Sequence, residues 1–418
     1  MPTIKARRLA QLFEAASKDR TPADSHDRYF HARSGQRIFC ESRDQYKFWS
    51  SMEDGFLSKE IRPDEFSVRD IFEAFVPDGR ELLREWQAGS SISLTEAAGA
   101  VVSTNFSNIT GQVVYNALLA AYEMPIFSFT QMILTIQTEF NGERIAGISR
   151  IGDQAAIVPE LQAFPLAGVN EDYIDTPPTV KRGLIVPISK EAIFFDRTNM
   201  ILQNAAEVGE WLGLNKEKRA IDCLVDENTT AHRYKWRGSS YGTYQTSTPW
   251  INSKTSNALE NWSNIAAVEL LFANITDPNT GEAITVMPDT LIVNPQLAPN
   301  ASYILNATQV FRVSGGYPTS GNLNQTFAPN PVGANAYSGQ YKVLTSRYMP
   351  ARTATDSDWF LGQPNKAMAY MQNWPIRVDQ APAYASADFN NDIVAQFKAS
   401  ERGAFVVRDP RYMAKSAA

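Results

Sequence analysis

Gly238-Ser239-Ser240-Tyr241-Gly242 matches the Gly-x-Ser-x-Gly spacing that exposes a serine nucleophile between a strand and a helix. Acyl transfer by Ser240 would need that turn and a histidine base. The flanks, Lys235-Trp236-Arg237 and Thr243-Tyr244-Gln245, read as loop, and no histidine follows Ser240. A flexible surface segment is therefore expected here. The chain has only three histidines, His26, His31 and His232. His26 and His31 stand in a charged region and are expected in solvent. Glu171, Asp172 and Asp175 form an acidic group suited in principle to proton transfer; a solvated edge or an inter-subunit salt bridge is the expected state. Asp388 and Asp392 form a second group, with no hydroxyl or histidine partner and no full calcium-binding loop. Cys-x-x-Cys, His-Glu-x-x-His and phosphate-loop patterns are absent. The sequence nominates no catalytic, cofactor-binding or metal residue, and the chain is expected not to be an enzyme.

The elements that would position any site are organised around residues 184–226. Leu184 to Ile188 is a short apolar run rich in β-branched residues, a strand signal. Asp196 can cap the first free N–H groups of a helix. Behind it Ile201, Ala205, Val208 and Leu212 recur on one helical face, and Leu214, Ile221 and Val225 continue the stripe. Lys216, Glu217, Lys218 and Arg219 are expected to face solvent or a partner subunit. The helix would span ~40 Å, long for a globular domain. Gly209 and Gly213 share one of its faces, each costing ~1 kcal/mol relative to alanine. They mark chance, a close backbone approach or a bend.

Composition bounds the rest. With 418 residues, 44% hydrophobic and 20% charged, the chain can build a substantial core. No apolar window is long enough to span a membrane, and the N-terminus does not read as a signal peptide. Cys40 and Cys223 fit a reducing compartment rather than a disulfide framework. A net charge of −6 gives no general attraction to nucleic acid. Of the 84 charged side chains, 31 lie in residues 1–90, so charge density halves beyond that point.

Within residues 1–90, Ile4 to Phe13 and Phe66 to Trp86 read as helical, with a break at Pro77–Gly79. This segment is a small helical domain, a partner-binding extension or a removable propeptide. The stretch after Gly89 reads as a linker or arm, and Gly111 to Tyr122 as helix. Residues 141–183 carry many glycines, prolines and polar residues; a long projecting β-hairpin fits better than a structureless loop. Residues 227–258 read as surface loop and Asn264 to Phe272 as a helix with Ile265, Val268 and Phe272 inward. Asp277 to Gly281 reads as a turn, Thr290 to Asn294 as a buried strand, and Pro295 to Leu305 as helix. Residues 314–340 read as an exposed loop. Tyr341 to Leu344 and Trp359 to Leu361 read as strands. Ile376, Val378, Ile393, Ala395, Phe397, Ala404 and Val406 follow a period of two.

This order of parts resembles the major capsid protein of tailed phages. The local signals are Arg182-Gly-Leu-Ile-Val-Pro-Ile-Ser-Lys-Glu-Ala-Ile-Phe-Phe-Asp-Arg197, Pro288 to Pro295 with its following helix, and Asp388 to Ala404. Ser189-Lys190-Glu191 and Arg402-Gly403 fit steps common in that family. The resemblance implies an α+β chain with the Hong Kong 97 phage-type capsid fold. Residues 1–90 would be a charged helical N-terminal segment, scaffold-like or controlling assembly, and 91–140 the N-terminal arm. Residues 141–187 would be the extended loop, 188–254 the peripheral domain with its long spine helix, 255–372 the axial domain and 373–418 the return strands. It further implies hexamers and pentamers of an icosahedral head around double-stranded DNA that is bound without sequence specificity. Scaffolding, portal and decoration proteins would be further partners, with no membrane. Assembly would take place in the host cytoplasm and the product would be the virion. A shell of the encapsulin type, enclosing cargo proteins, is the alternative. No lysine lies in residues 145–180, Lys181 standing at their base, so the covalent cross-linking known in some members is not carried over.

Overall fold

The computed structural model describes residues 4–18, 28–30, 37–40, 43–76, 78–87, 100–146, 158–160, 173–189, 200–226, 233–236, 239–247, 249–277, 281, 283–307, 309–311, 332–353, 355–380 and 393–417. In chain order come α1 (Ile4–Lys18), β1 (Arg28–Phe30), β2 (Arg37–Phe39), α2 (Arg43–Leu57), α3 (Val68–Phe75), α4 (Gly79–Gln87) and α5 (Ala100–Tyr122). Next are β3 (Leu134–Gln137), β4 (Arg144–Ala146), β5 (Tyr173–Asp175), β6 (Val180–Ser189) and the long α6 (Met200–Val225). Then follow β7 (Arg233–Trp236), β8 (Ser239–Tyr241), β9 (Ser253–Lys254), α7 (Trp262–Ala273), β10 (Thr290–Val293) and α8 (Ala298–Asn306). The remainder is β11 (Gln309–Phe311), β12 (Val332–Ala334), β13 (Lys342–Thr345), β14 (Trp359–Gly362), β15 (Met368–Gln380), β16 (Ile393–Val407) and β17 (Met413–Ser416), with a one-turn helix, Pro364–Ala367, before β15. Helices and sheets of this mixture make an α+β chain, the class expected from the sequence.

The chain divides into two units. The first holds residues 1–127, 180–216 and 372–403; the second holds 128–179, 217–371 and 404–418. α6, β15 and β16 each contribute residues to both.

The first unit is built on one apolar cluster. Trp49 and Phe72 from the N-terminal helices, Val114 from α5, Ile201 and Ala205 from α6, and Phe397 from β16 all join it. Local chemistry sets the helix ends. The Ser67 side chain accepts from the Asp70 N–H at 2.9 Å and caps α3. The break expected at Pro77–Gly79 separates α3 from α4. α5 starts at Ala100, not Gly111: its Ser- and Asn-rich first half is a weak helix former, but every residue from Ile109 to Tyr115 is buried, and packing overrides propensity. The face of α6 read from the sequence is observed, with Ile201, Ala205 and Leu212 buried and Val208 packed beside them. β6 runs antiparallel to β16, pairing Val186 with Phe397 and Arg182 with Glu401. Pro187 is tolerated because β6 is an edge strand, with β16 on its inner side.

In the second unit a mixed five-stranded sheet has the order β13-β10-β14-β17-β9. β10 is buried along its whole length and pairs parallel to β13 and antiparallel to β14. α7 starts at a reciprocal cap between Asn261 and Asn264 and turns Ile265, Val268 and Phe272 inward, as the pattern required. A second sheet, β4-β5-β7-β8, is antiparallel throughout. Its last two strands fall where the sequence reads as surface loop. That reading also fails at Trp250 and Asn252, which are buried. Asn252 holds the segment down: its amide donates to the carbonyls of Thr243 at 2.9 Å, Pro410 at 2.8 Å and Met413 at 3.0 Å. Residues 332–340, expected within an exposed loop, include β12, paired with β11, and the buried Asn335.

Candidate functional site

The helices α5 and α6 meet backbone to backbone. A Cβ at Gly209 would stand 2.1 Å from the Leu118 carbonyl oxygen. One at Gly213 would stand 2.7 Å from the Tyr122 oxygen and 2.6 Å from the Phe127 ring. Leu118 and Tyr122 advance by one turn as Gly209 and Gly213 do, so the two helices run in the same sense where they touch. Of the readings open for this glycine pair, the close approach is the one observed, and the neighbouring backbone belongs to the same chain.

The charged run at the middle of α6 does not face solvent. Lys216 lies over the Tyr122 ring at 5.1 Å, Lys218 over Tyr348 at 5.7 Å and Arg219 over Phe405 at 5.8 Å. Glu217 is 1% exposed. Its carboxylate accepts the N–H of Phe129 at 3.0 Å and of Thr130 at 2.8 Å, as well as the Thr130 hydroxyl. Those N–H groups open the 3-10 turn Thr130–Met132 and have no partner within it. Glu217 therefore acts as a long-range cap, fixing the chain just before β3. The run fails as a surface signal because the stems and cations of its lysines and arginine pack on aromatic faces.

Ionised groups are also buried near the C-terminus. Arg411 is buried and makes paired contacts to Asp409, Nε to Oδ1 at 3.0 Å and Nη2 to Oδ2 at 3.0 Å. Its Nη1 stands 3.7 Å from Asp277. Lys415 pairs with the buried Asp358 at 3.1 Å. At the end of α6, Asp226 adopts a φ of 42° and accepts the Thr243 N–H at 3.2 Å. Burial pushes its carboxyl above the usual carboxylate range, with Thr243 and Lys415 pulling the other way. Burial also raises the Cys223 thiol and the Tyr244 hydroxyl, and the charge of Asp226 adds to both. Among them Asp409 and Arg411, and Lys415 and Asp358, form ion pairs that hold the segments they lie on. Among the described residues no three His, Cys, Asp or Glu side chains gather to hold a metal ion, and no helix is long and apolar enough to cross a membrane.

The residues singled out for chemistry are scattered. Ser240 lies on strand β8, opposite Lys235, and not at a turn leading into a helix. Its expected place in a flexible loop is corrected: hairpin pairing fixes it. Asp175 pairs with Arg144 of the same chain at 3.3 Å across β4 and β5. His26, His31, His232, Glu171, Asp172, Asp388, Asp392 and the helix cap Asp196 lie outside the described residues. The base of the expected hairpin is present, with Arg144 opposite Asp175 and Ala146 opposite Tyr173. β5 then pairs with β7, so the β4–β5 pair belongs to a four-stranded sheet; the rest of the expected hairpin, residues 147–157 and 161–172, lies outside the described residues.

The family described as phage capsid protein matches residues 174–416, and the chain belongs to that family: it is a shell-forming capsid protein, a component of a virion. Among solved structures it is similar to the capsid of an empty GTA particle (13% identity, TM-score 0.41, covering 70% of this chain and 90% of the other). It is also similar to the mature capsid of bacteriophage PhiM1 (13%, TM-score 0.40, 69% and 86%) and to a virus-like particle from Pyrococcus furiosus (12%, TM-score 0.38, 72% and 98%). A search of curated proteins returned no match.

Proposed function

We propose that this chain is the major capsid protein of a tailed phage, assembling as hexamers and pentamers into an icosahedral head around double-stranded DNA. The observation that carries this reading is the family match over residues 174–416. The sequence order supports the Hong Kong 97 phage-type division, with the extended loop at 141–187, the peripheral domain and spine helix at 188–254, the axial domain at 255–372 and the return at 373–418. The arm at 91–140 would then contain α5. In this reading the hairpin rooted at β4 and β5 reaches over an adjacent subunit. The chain has no catalytic role, holds DNA without reading its sequence and assembles in the host cytoplasm. Scaffolding, portal and decoration proteins are its expected partners.

Electron microscopy of the expressed protein, with or without a co-expressed scaffold, tests this. Closed particles with five-fold vertices and six-fold capsomers are expected. Sedimentation as monomers under every salt and scaffold condition would overturn it. Particles filled with protein cargo and unable to take up DNA would favour the encapsulin-type reading.

A further inference from the structure

We infer that residues 4–87 are a permanent half of the first unit's core, and that the subunit is not matured by proteolytic removal of this segment. The charge step near residue 90 suggests a detachable piece, but the packing contradicts it. α5 is buried on all sides between Ile109 and Tyr115. A helix buried all round needs cover on every face. One face is met by α6, through Leu118 against Gly209 and Tyr122 against Gly213. Another is met by α3 and the 3-10 turn Pro63–Glu65. Phe66, Val68 and Phe72 of that region are 0–1% exposed and share one cluster with Val113, Val114 and Leu118 of α5.

That cluster does not stop at α5. It continues through Ile188 of β6, Ile201 of α6 and Ile376 of β15. Removing residues 4–87 would strip one side of α5 and leave its apolar side chains in water. Burial of each large apolar side chain is a substantial stabilising term, so the remainder would not keep its fold. In a segment built to be cut away, the apolar residues would close on themselves. Here they close on the body of the subunit.

The test uses the full chain carrying a specific protease site between Gln87 and Ala100. After complete cutting of the folded protein, both fragments should elute together on a sizing column and separate only in denaturant. Release of the N-terminal fragment, with the remainder soluble and its melting temperature unchanged, would overturn the inference. Mass spectrometry of assembled particles is the second measurement. A mass that includes the N-terminal helices is expected, and one beginning between residues 87 and 100 would also overturn it. Neither readout depends on the symmetry of the shell, so failure here is distinguishable from failure of the capsid reading.

Discussion

The Leu118 carbonyl oxygen occupies the space that a β-carbon at Gly209 would need, 2.1 Å from where that atom would stand. A backbone atom within a helix cannot swing aside as a side chain can. Gly209→Ala is therefore expected to destabilise the chain by about 2 kcal/mol or more, the overpacking cost exceeding the ~1 kcal/mol that alanine gains in a helix. Gly213→Ala should act in the same direction, against Tyr122 and Phe127. Urea denaturation measures both; a higher midpoint for either variant would contradict the contact.

Glu217 should be the most sensitive charged position of α6. Glu217→Ala leaves the buried N–H of Phe129 and the part-buried N–H of Thr130 without their acceptor, a loss of about 2–3 kcal/mol. Glu217→Gln keeps one acceptor and should lose roughly half of that. Amide exchange at Phe129 and Thr130 should quicken in the alanine variant. Unchanged protection there would show that the cap is not needed.

Asp226 gives a pH dependence of definite sign. Its folded carboxyl is held above the ordinary range, chiefly by burial. The folded chain thus binds that proton more tightly than the unfolded chain, and the associated stability is full below the ordinary carboxylate pKa. It is lost as pH rises through the raised value. Asp226→Asn should raise the melting temperature at neutral pH, and the gap to the parent protein should close on acidification. A gap that widens toward acid would refute the assignment. Asparagine also tolerates the positive φ at this position.

Gln112 is fully buried within α5, and neither of its amide atoms meets a partner among the described residues. Gln112→Met keeps a similar volume and removes two groups that are costly to bury. A gain of about 1–2 kcal/mol is expected, read as a higher melting temperature. A lower one would mean that the amide is satisfied in solution.

What the sequence made legible was local. The stripe Ile201, Ala205, Leu212, the inward face Ile265, Val268, Phe272 and the buried strand at Thr290 to Val293 all follow from periodicity, and all are observed. What it hid depends on distant partners. Glu217 caps residues 88 positions earlier, and Asn252 donates to a carbonyl 158 positions later. No window of sequence contains both ends of such a bond. The first half of α5 and the hairpin of β7 and β8 are missed for a related reason: their composition suits a loop, and tertiary pairing decides otherwise. The glycine pair is visible in the sequence as a cost without a cause; the Leu118 carbonyl supplies the cause.

The interleaving of the two units constrains how the protein comes off the ribosome. The first unit cannot be completed until Gly403 has been made, and the second awaits residues 404–418. β17 lies between β14 and β9 inside its sheet, so that sheet waits for residues 413–416. The apolar cluster that the N-terminal helices enter therefore stays open on the side of Ile376 and Phe397, which are made about three hundred residues after those helices. Nascent chains of this kind are exposed to aggregation, so the yield of native subunits should depend on chaperone supply and translation speed more than on the stability of the finished fold.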